Sequence, residues 1–193
     1  MNHFCHLFLA RPTLESRVGN LLGDFARGLD SRDLPEQVRE GLEHHRAVDA
    51  FTDSHPQVLA SKALFSADRR RFAGIALDIL FDHYLLRHWE QFGHTDKNRF
   101  IKELYADLEA GSYLMPPAME QVTRRMVAYD WFNAYENLDT VGQAMDRVAS
   151  RIRFRHGFEG IINEIRPMDD ELEARFLVFF PDLLAFSRSR LEP

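Results

Sequence analysis

Acidic and histidine side chains recur at helical spacing inside apolar stretches of this chain, and that pattern carries most of its chemical information. In Gly19-Asn20-Leu21-Leu22-Gly23-Asp24-Phe25, Asn20 and Asp24 stand four apart, so a helix there places them on one face. His45, Asp49 and Asp53 repeat the spacing, with Thr52 beside them. Asp78 and Asp82 repeat it again, with His83 adjacent, in Ile75-Ala76-Leu77-Asp78-Ile79-Leu80-Phe81-Asp82-His83-Tyr84-Leu85-Leu86. That last stretch is apolar on nearly every side, which predicts a buried helix. An unpaired buried carboxylate is costly, so a divalent cation or an arginine partner is expected beside Asp78 and Asp82. Each cluster also has a plain reading. Paired acids on a helix commonly face solvent, and Arg46 can form a salt bridge with Asp49 or Asp53. His3 and His6, close to the start of the chain, read as incidental.

Carboxylates and imidazoles together suit Mn²⁺, Fe²⁺, Mg²⁺ or Zn²⁺, and one cysteine, Cys5, is too few for a thiolate site. The chain has no glycine-rich phosphate loop and no nucleophile elbow. The chemistry left is metal-assisted hydrolysis. A bound cation acidifies water and polarises a phosphoryl oxygen. An arginine stabilises the charge developing on phosphorus oxygens, and a histidine protonates the leaving alkoxide.

The elements that must position these groups are helical by periodicity almost throughout. Helices are predicted over Leu14 to Arg27, Pro35 to His55, Gln57 to Leu64, Asp68 to Phe92, Lys97 to Ala110, Pro116 to Tyr129, Leu138 to Phe154 and Met168 to Arg188. Alternating strand patterns are missing, which predicts an all-α, single-domain helical bundle spanning residues 1–193. Hydrophobic residues make up 45 % of the chain and phenylalanine occurs 16 times, predicting an aromatic-rich core. The net charge of −6 argues against broad nucleic-acid binding. The lone cysteine predicts a reducing, cytoplasmic setting. The first ten residues lack a basic segment and are not read as a signal peptide.

These motifs resemble the acyl carrier protein phosphodiesterase family. The resemblance is carried by Asn2-His3-Phe4-Cys5-His6-Leu7-Phe8-Leu9-Ala10, by Gly19 to Phe25, by His45-Arg46…Asp49…Thr52-Asp53…His55-Pro56, by Leu77 to Leu85 with His88-Trp89, and by Ala149-Ser150-Arg151. It implies hydrolysis of the phosphodiester joining 4′-phosphopantetheine to the serine of holo acyl carrier protein, dependence on a divalent cation, typically Mn²⁺, and a distorted HD phosphohydrolase fold. The reversed doublet Asp82-His83, and the absence of an Asp after His45, prevent ligands from being carried over from ordinary HD enzymes. The expected metal ligands are a subset of Asp24, His45, Asp49, Asp78 and Asp82. Catalytic or supporting roles are expected for Asp24, His45, His6, Arg46, Asp53 and His83. An acidic carrier protein calls for a basic docking surface. Arg69, Arg70 and Arg71 offer one, as does the run Arg147, Arg151, Arg153 and Arg155; Arg124-Arg125 is a further basic pair. The competing readings are an HD-like phosphohydrolase acting on a nucleotide, a non-catalytic module that binds carrier protein, and a plain bundle whose acids pair with arginine.

Overall fold

A computed structural model describes residues 1–154 and 156–192. Arg155, the last of the predicted basic run, lies outside them. Among the described residues the chain is helical with no strand. The helices are α1 (His3–Leu9), α2 (Leu14–Leu22), α3 (Glu36–Ser54), α4 (Pro56–Leu64), α5 (Ala73–Arg87), α6 (Trp89–Phe92), α7 (Lys97–Ala110), α8 (Pro117–Ala128), α9 (Trp131–Ala134), α10 (Leu138–Ala149), α11 (Ile162–Ile165) and α12 (Asp169–Leu191). No helix among the described residues is long and apolar enough to cross a membrane.

Helix α5 runs through the middle, as its apolar sequence predicts. It packs against α1, α4, α10 and α12, and Ala76, Leu80, Tyr84 and Leu85 have no exposed surface. Phenylalanines of α5 and α12 form the aromatic heart, with Phe81 and Phe176 rings 5.5 Å apart and Phe176 and Phe180 4.8 Å apart. The predicted helix over Asp68 to Phe92 is three pieces, a 3-10 turn (Arg70–Phe72), α5 and α6, broken at His88. The His88 imidazole meets Glu173 at 2.7 Å there, tying the break to α12.

Helix α1, missed by periodicity, is seven residues long and too short to stand alone in water. It persists because Phe4, Cys5, Leu7 and Leu9 are buried and because a carboxylate from α5 caps it. Asp82 accepts hydrogen bonds from the backbone N–H of Phe4 (3.1 Å) and Cys5 (2.8 Å) and from the Asn2 side chain (2.8 Å). These are orphan donors of the first helical turn, aimed at an anion. Helices α2 and α3 cross closely at Gly19 and Gly41. A Cβ on Gly41 would stand 2.7 Å from the Ser16 carbonyl oxygen and 2.9 Å from the Gly19 Cα. Only glycine permits this approach, which brings the end of α2 against the middle of α3.

Candidate metal centre

Side chains of α1, α3 and α5, with the 3-10 turn that follows α2, converge on one cleft. Helix α3 presents His45 and Asp49 one turn apart, joined from His45 Nε2 to Asp49 Oδ2 at 3.1 Å. Helix α1 brings His6, whose Nε2 lies 3.1 Å from Asp49 Oδ1. The two imidazoles stack with centroids 3.7 Å apart and planes 20° apart. His6, His45 and Asp49 each offer a ligand atom, all within 4.8 Å of one another, so these side chains can hold a metal ion.

The donor set fits a divalent cation. Burial, and the neighbouring His45, bring the His6 pKa down to about 3, so at neutral pH it is an uncharged imidazole with a lone pair to give. Burial pushes Asp49 upward, but hydrogen bonds with His45 and His6 and the nearby Met1 amino group outweigh it. Asp49 is therefore held far below the usual carboxylate range. The Nδ1 atoms of His6 and His45 are buried without a hydrogen-bond partner among the described residues. Imidazole and carboxylate donors in this arrangement suit Mn²⁺, Fe²⁺ or Zn²⁺.

Gly23 makes room for this arrangement. Its backbone is right-handed helical, where alanine is ordinarily favoured over glycine by about 1 kcal/mol. A Cβ on Gly23 would overlap the His45 ring. Gly23→Ala is therefore expected to displace His45 and weaken divalent-cation binding at least about tenfold, with a loss of fold stability of roughly 1–3 kcal/mol. Calorimetric Mn²⁺ titration alongside urea unfolding checks both.

Two further carboxylates stand at the rim. Asp78 Oδ1 and Asp49 Oδ1 each lie 3.0 Å from the Met1 amino nitrogen, which bridges them. Asp24, about one-third exposed, pairs with His3 Nδ1 at 2.9 Å. Burial would raise Asp24, but the hydrogen bond with His3 outweighs it and holds the carboxyl below its usual range. His3 therefore belongs to the cleft, although the sequence reading set it aside. Its spacing of three from His6 on one short helix was the available signal.

Several expectations need correction. Asn20 and Asp24 do not share a face, because α2 ends at Leu22 and a 3-10 turn (Gly23–Phe25) follows. Asn20 is buried and meets His44 Nδ1 at 2.8 Å, while Asp24 reaches the cleft. The burial of Asp82 is compensated by the start of α1, and no arginine pairs with it among the described residues. Burial pushes its carboxyl up to about 6 against the pull of the Cys5 and Phe4 N–H groups. The adjacent His83 points elsewhere, with Nδ1 2.7 Å from the Tyr135 carbonyl and Nε2 2.9 Å from Arg87. Asp53 continues one turn beyond Asp49 and pairs with Lys62 at 2.7 Å in solvent. Arg46, about 100° around α3 from His45, is exposed.

The predicted docking arginines divide. Arg69 reaches the carbonyls of Glu159 and Gly160, and Arg70 those of Ala63 and Phe65, so both bind neighbouring loops. Arg71 lies over the Phe72 and Phe154 rings. Arg147 and Arg151 are exposed and, with His3, line one pocket beside the cleft.

A helical bundle that gathers imidazoles and carboxylates from three helices and a 3-10 turn over one cleft defines an all-α protein with a candidate divalent-metal centre. A family model described as acyl carrier protein phosphodiesterase matches residues 1–183. Among similar curated proteins is the acyl carrier protein phosphodiesterase of Serratia proteamaculans (strain 568), 31 % identical over 191 residues and covering 98 % of this chain and 99 % of its own. That of Enterobacter sp. (strain 638) is 31 % identical over 196 residues, with the same coverage. The Escherichia coli K12 / DH10B protein of that name is 32 % identical over 191 residues, covering 96 % of both chains. No solved structure matches significantly. The chain belongs to the acyl carrier protein phosphodiesterase family, and it is a hydrolase of phosphodiester bonds.

Proposed function

We propose that this protein removes the 4′-phosphopantetheine arm from holo acyl carrier protein, using a divalent cation, Mn²⁺ first among candidates, held by His6, His45 and Asp49. The observation that carries the reading is the convergence of those three side chains, from α1 and α3, in a cleft rimmed by Asp24 and Asp78. Names of full-length relatives support the substrate. When bound, such a cation supplies Lewis acidity toward a phosphoryl oxygen and lowers the pKa of water.

The chain's own groups do the rest. Water oxygen adds to phosphorus, the bond from phosphorus to the carrier-protein serine oxygen breaks, and that oxygen takes up a proton. The products are apo acyl carrier protein and 4′-phosphopantetheine. His3 holds the proton in this scheme, with Asp24 fixing its Nδ1 so that Nε2 is free to face the leaving oxygen. Asp78, with Asp49, holds the Met1 amino group at the rim. Asp82 acts at one remove, by holding α1 in place. The carrier protein docks on the exposed face around Arg71, where Arg69 and Arg70 hold the backbone of neighbouring segments. The proposed place of action is the cytoplasm, where a holo carrier protein would be met.

The test is to incubate purified protein with holo acyl carrier protein and Mn²⁺, with and without a chelator, and follow carrier-protein mass. The expected result is loss of the phosphopantetheine mass only where the cation is free. Hydrolysis of free nucleotides with the carrier protein left intact would replace this reading by a nucleotide phosphohydrolase.

A further inference from the structure

Beside His3 a pocket of about 210 Å³ opens between α5, α8, α9 and α10. Phe25, Ile79, Trp131, Tyr135 and Val148 wall it, while Asn2 and His3 stand at its inner end. Among the described residues no carboxylate lines it, in a chain of net charge −6. The charged lining among the described residues is Arg147, in the last turn of α10, and Arg151, in the turn just past its end. Neither has a carboxylate partner among the described residues, whereas Arg17, Arg32, Arg69, Arg87, Arg99 and Arg175 each do. Two arginines of like charge at this spacing repel each other. Both are exposed at the pocket mouth, and guanidinium groups suit phosphate oxygens.

We propose that this pocket is the subsite for the pantetheine half of the substrate, its phosphoryl end held by Arg147 and Arg151 and its chain lying along the Phe25, Ile79, Trp131 and Val148 wall. The inference rests on the carrier-protein reading and adds where the arm sits. Shape and charge both fit this occupant. The volume lies below the roughly 300–1,000 Å³ of pockets for bulkier ligands, and an extended arm needs only a narrow channel. The walls are apolar and the only charges are positive, matching a flexible chain with an anion at one end. His3 joins the pocket to the carboxylate rim, because it lines the pocket and its Nδ1 meets Asp24. A phosphodiester at His3 therefore directs the arm into the pocket and the serine outward, toward the docking surface.

Calorimetry with the full chain tests this without any turnover. Binding of 4′-phosphopantetheine, pantetheine and inorganic phosphate is measured on the wild type, on the double variant Arg147→Ala/Arg151→Ala, and on Val148→Trp, which fills the pocket. The wild type is expected to bind 4′-phosphopantetheine at least about tenfold more tightly than either pantetheine or phosphate. The arginine pair variant is expected to lose at least about tenfold for 4′-phosphopantetheine and to leave pantetheine binding within about twofold. Val148→Trp is expected to weaken both pantetheine compounds while phosphate binding stays. Unaltered Mn²⁺ binding in each variant shows that the cleft is folded. Equal binding of 4′-phosphopantetheine by wild type and both variants overturns the subsite. Binding as described, with holo carrier protein left uncleaved by the wild type and Mn²⁺, overturns the hydrolytic reading instead.

Discussion

Asp49→Asn is expected to lower kcat/KM for arm release by at least about a thousandfold, equivalent to roughly 4 kcal/mol of transition-state stabilisation. Both oxygens of Asp49 are committed to the cleft, Oδ1 to His6 and Oδ2 to His45. It is also the one carboxylate in the cluster able to share a cation with both rings. The amide keeps its size and one acceptor but removes the negative charge that offsets a divalent cation. Bound metal per chain should fall from near one to near zero in micromolar Mn²⁺. The fold should barely notice, because Asp49 is more than one-third exposed and pairs of that kind contribute about 0–1 kcal/mol. Metal analysis, Mn²⁺ titration and a thermal melt on one preparation separate these effects. A variant that keeps its metal and its rate would remove Asp49 from the centre.

Asp82→Ala is expected to act through the fold. Removing the carboxylate strands the buried N–H groups of Phe4 and Cys5 and loosens Asn2. Each stranded donor costs about 1–3 kcal/mol, and relief of a buried charge offsets part of that, leaving a loss of roughly 2–4 kcal/mol. For a chain of this size the melting temperature should fall by roughly 5–15 °C. Because α1 carries both His3 and His6, cation binding and turnover should fall with it. The discriminating condition is chelator-treated protein: a metal ligand lost from metal-free protein leaves the melt where it was, whereas a lost cap lowers it. The pH dependence has a definite sign. The folded carboxyl titrates at about 6, above its ordinary 3.8. Its contribution is therefore full below about 3.8 and declines as pH rises through about 6. The gap between wild type and Asp82→Ala should be wider at pH 5 than at pH 8.

The contrast between Asp78 and Asp82 shows what spacing conveys and where it stops. Their separation of four was legible and both emerge from α5 as read. Spacing alone could not show that Asp82 faces the start of α1, because that partner lies nearly eighty residues earlier in the chain. The same long-range contact explains why α1 itself was not read. Seven residues give too little periodicity, and the cap that completes the helix comes from α5. Helix α3 was legible to within a residue at each end, since Pro35 and Pro56 mark its limits and its apolar face repeats. The run from Asp68 to Phe92 was read as one helix because its hydrophobicity is continuous, while the break at His88 depends on Glu173 from α12. In the cleft, His45 and Asp49 were visible as a pair within one helix. His3 joins only through folding, and the turn at Gly23 separates Asp24 from Asn20. The missed features are thus tertiary contacts made by short elements, whose sequences carry little periodic signal of their own.

X-ray diffraction from crystals soaked in Mn²⁺, collected with anomalous signal, bears most directly on the ligand set. One strong peak is expected about 2.0–2.3 Å from an imidazole nitrogen of His6, an imidazole nitrogen of His45 and a carboxylate oxygen of Asp49. A peak coordinated elsewhere, or none at saturating Mn²⁺ in protein that still releases the arm, would contradict the assignment of these three side chains.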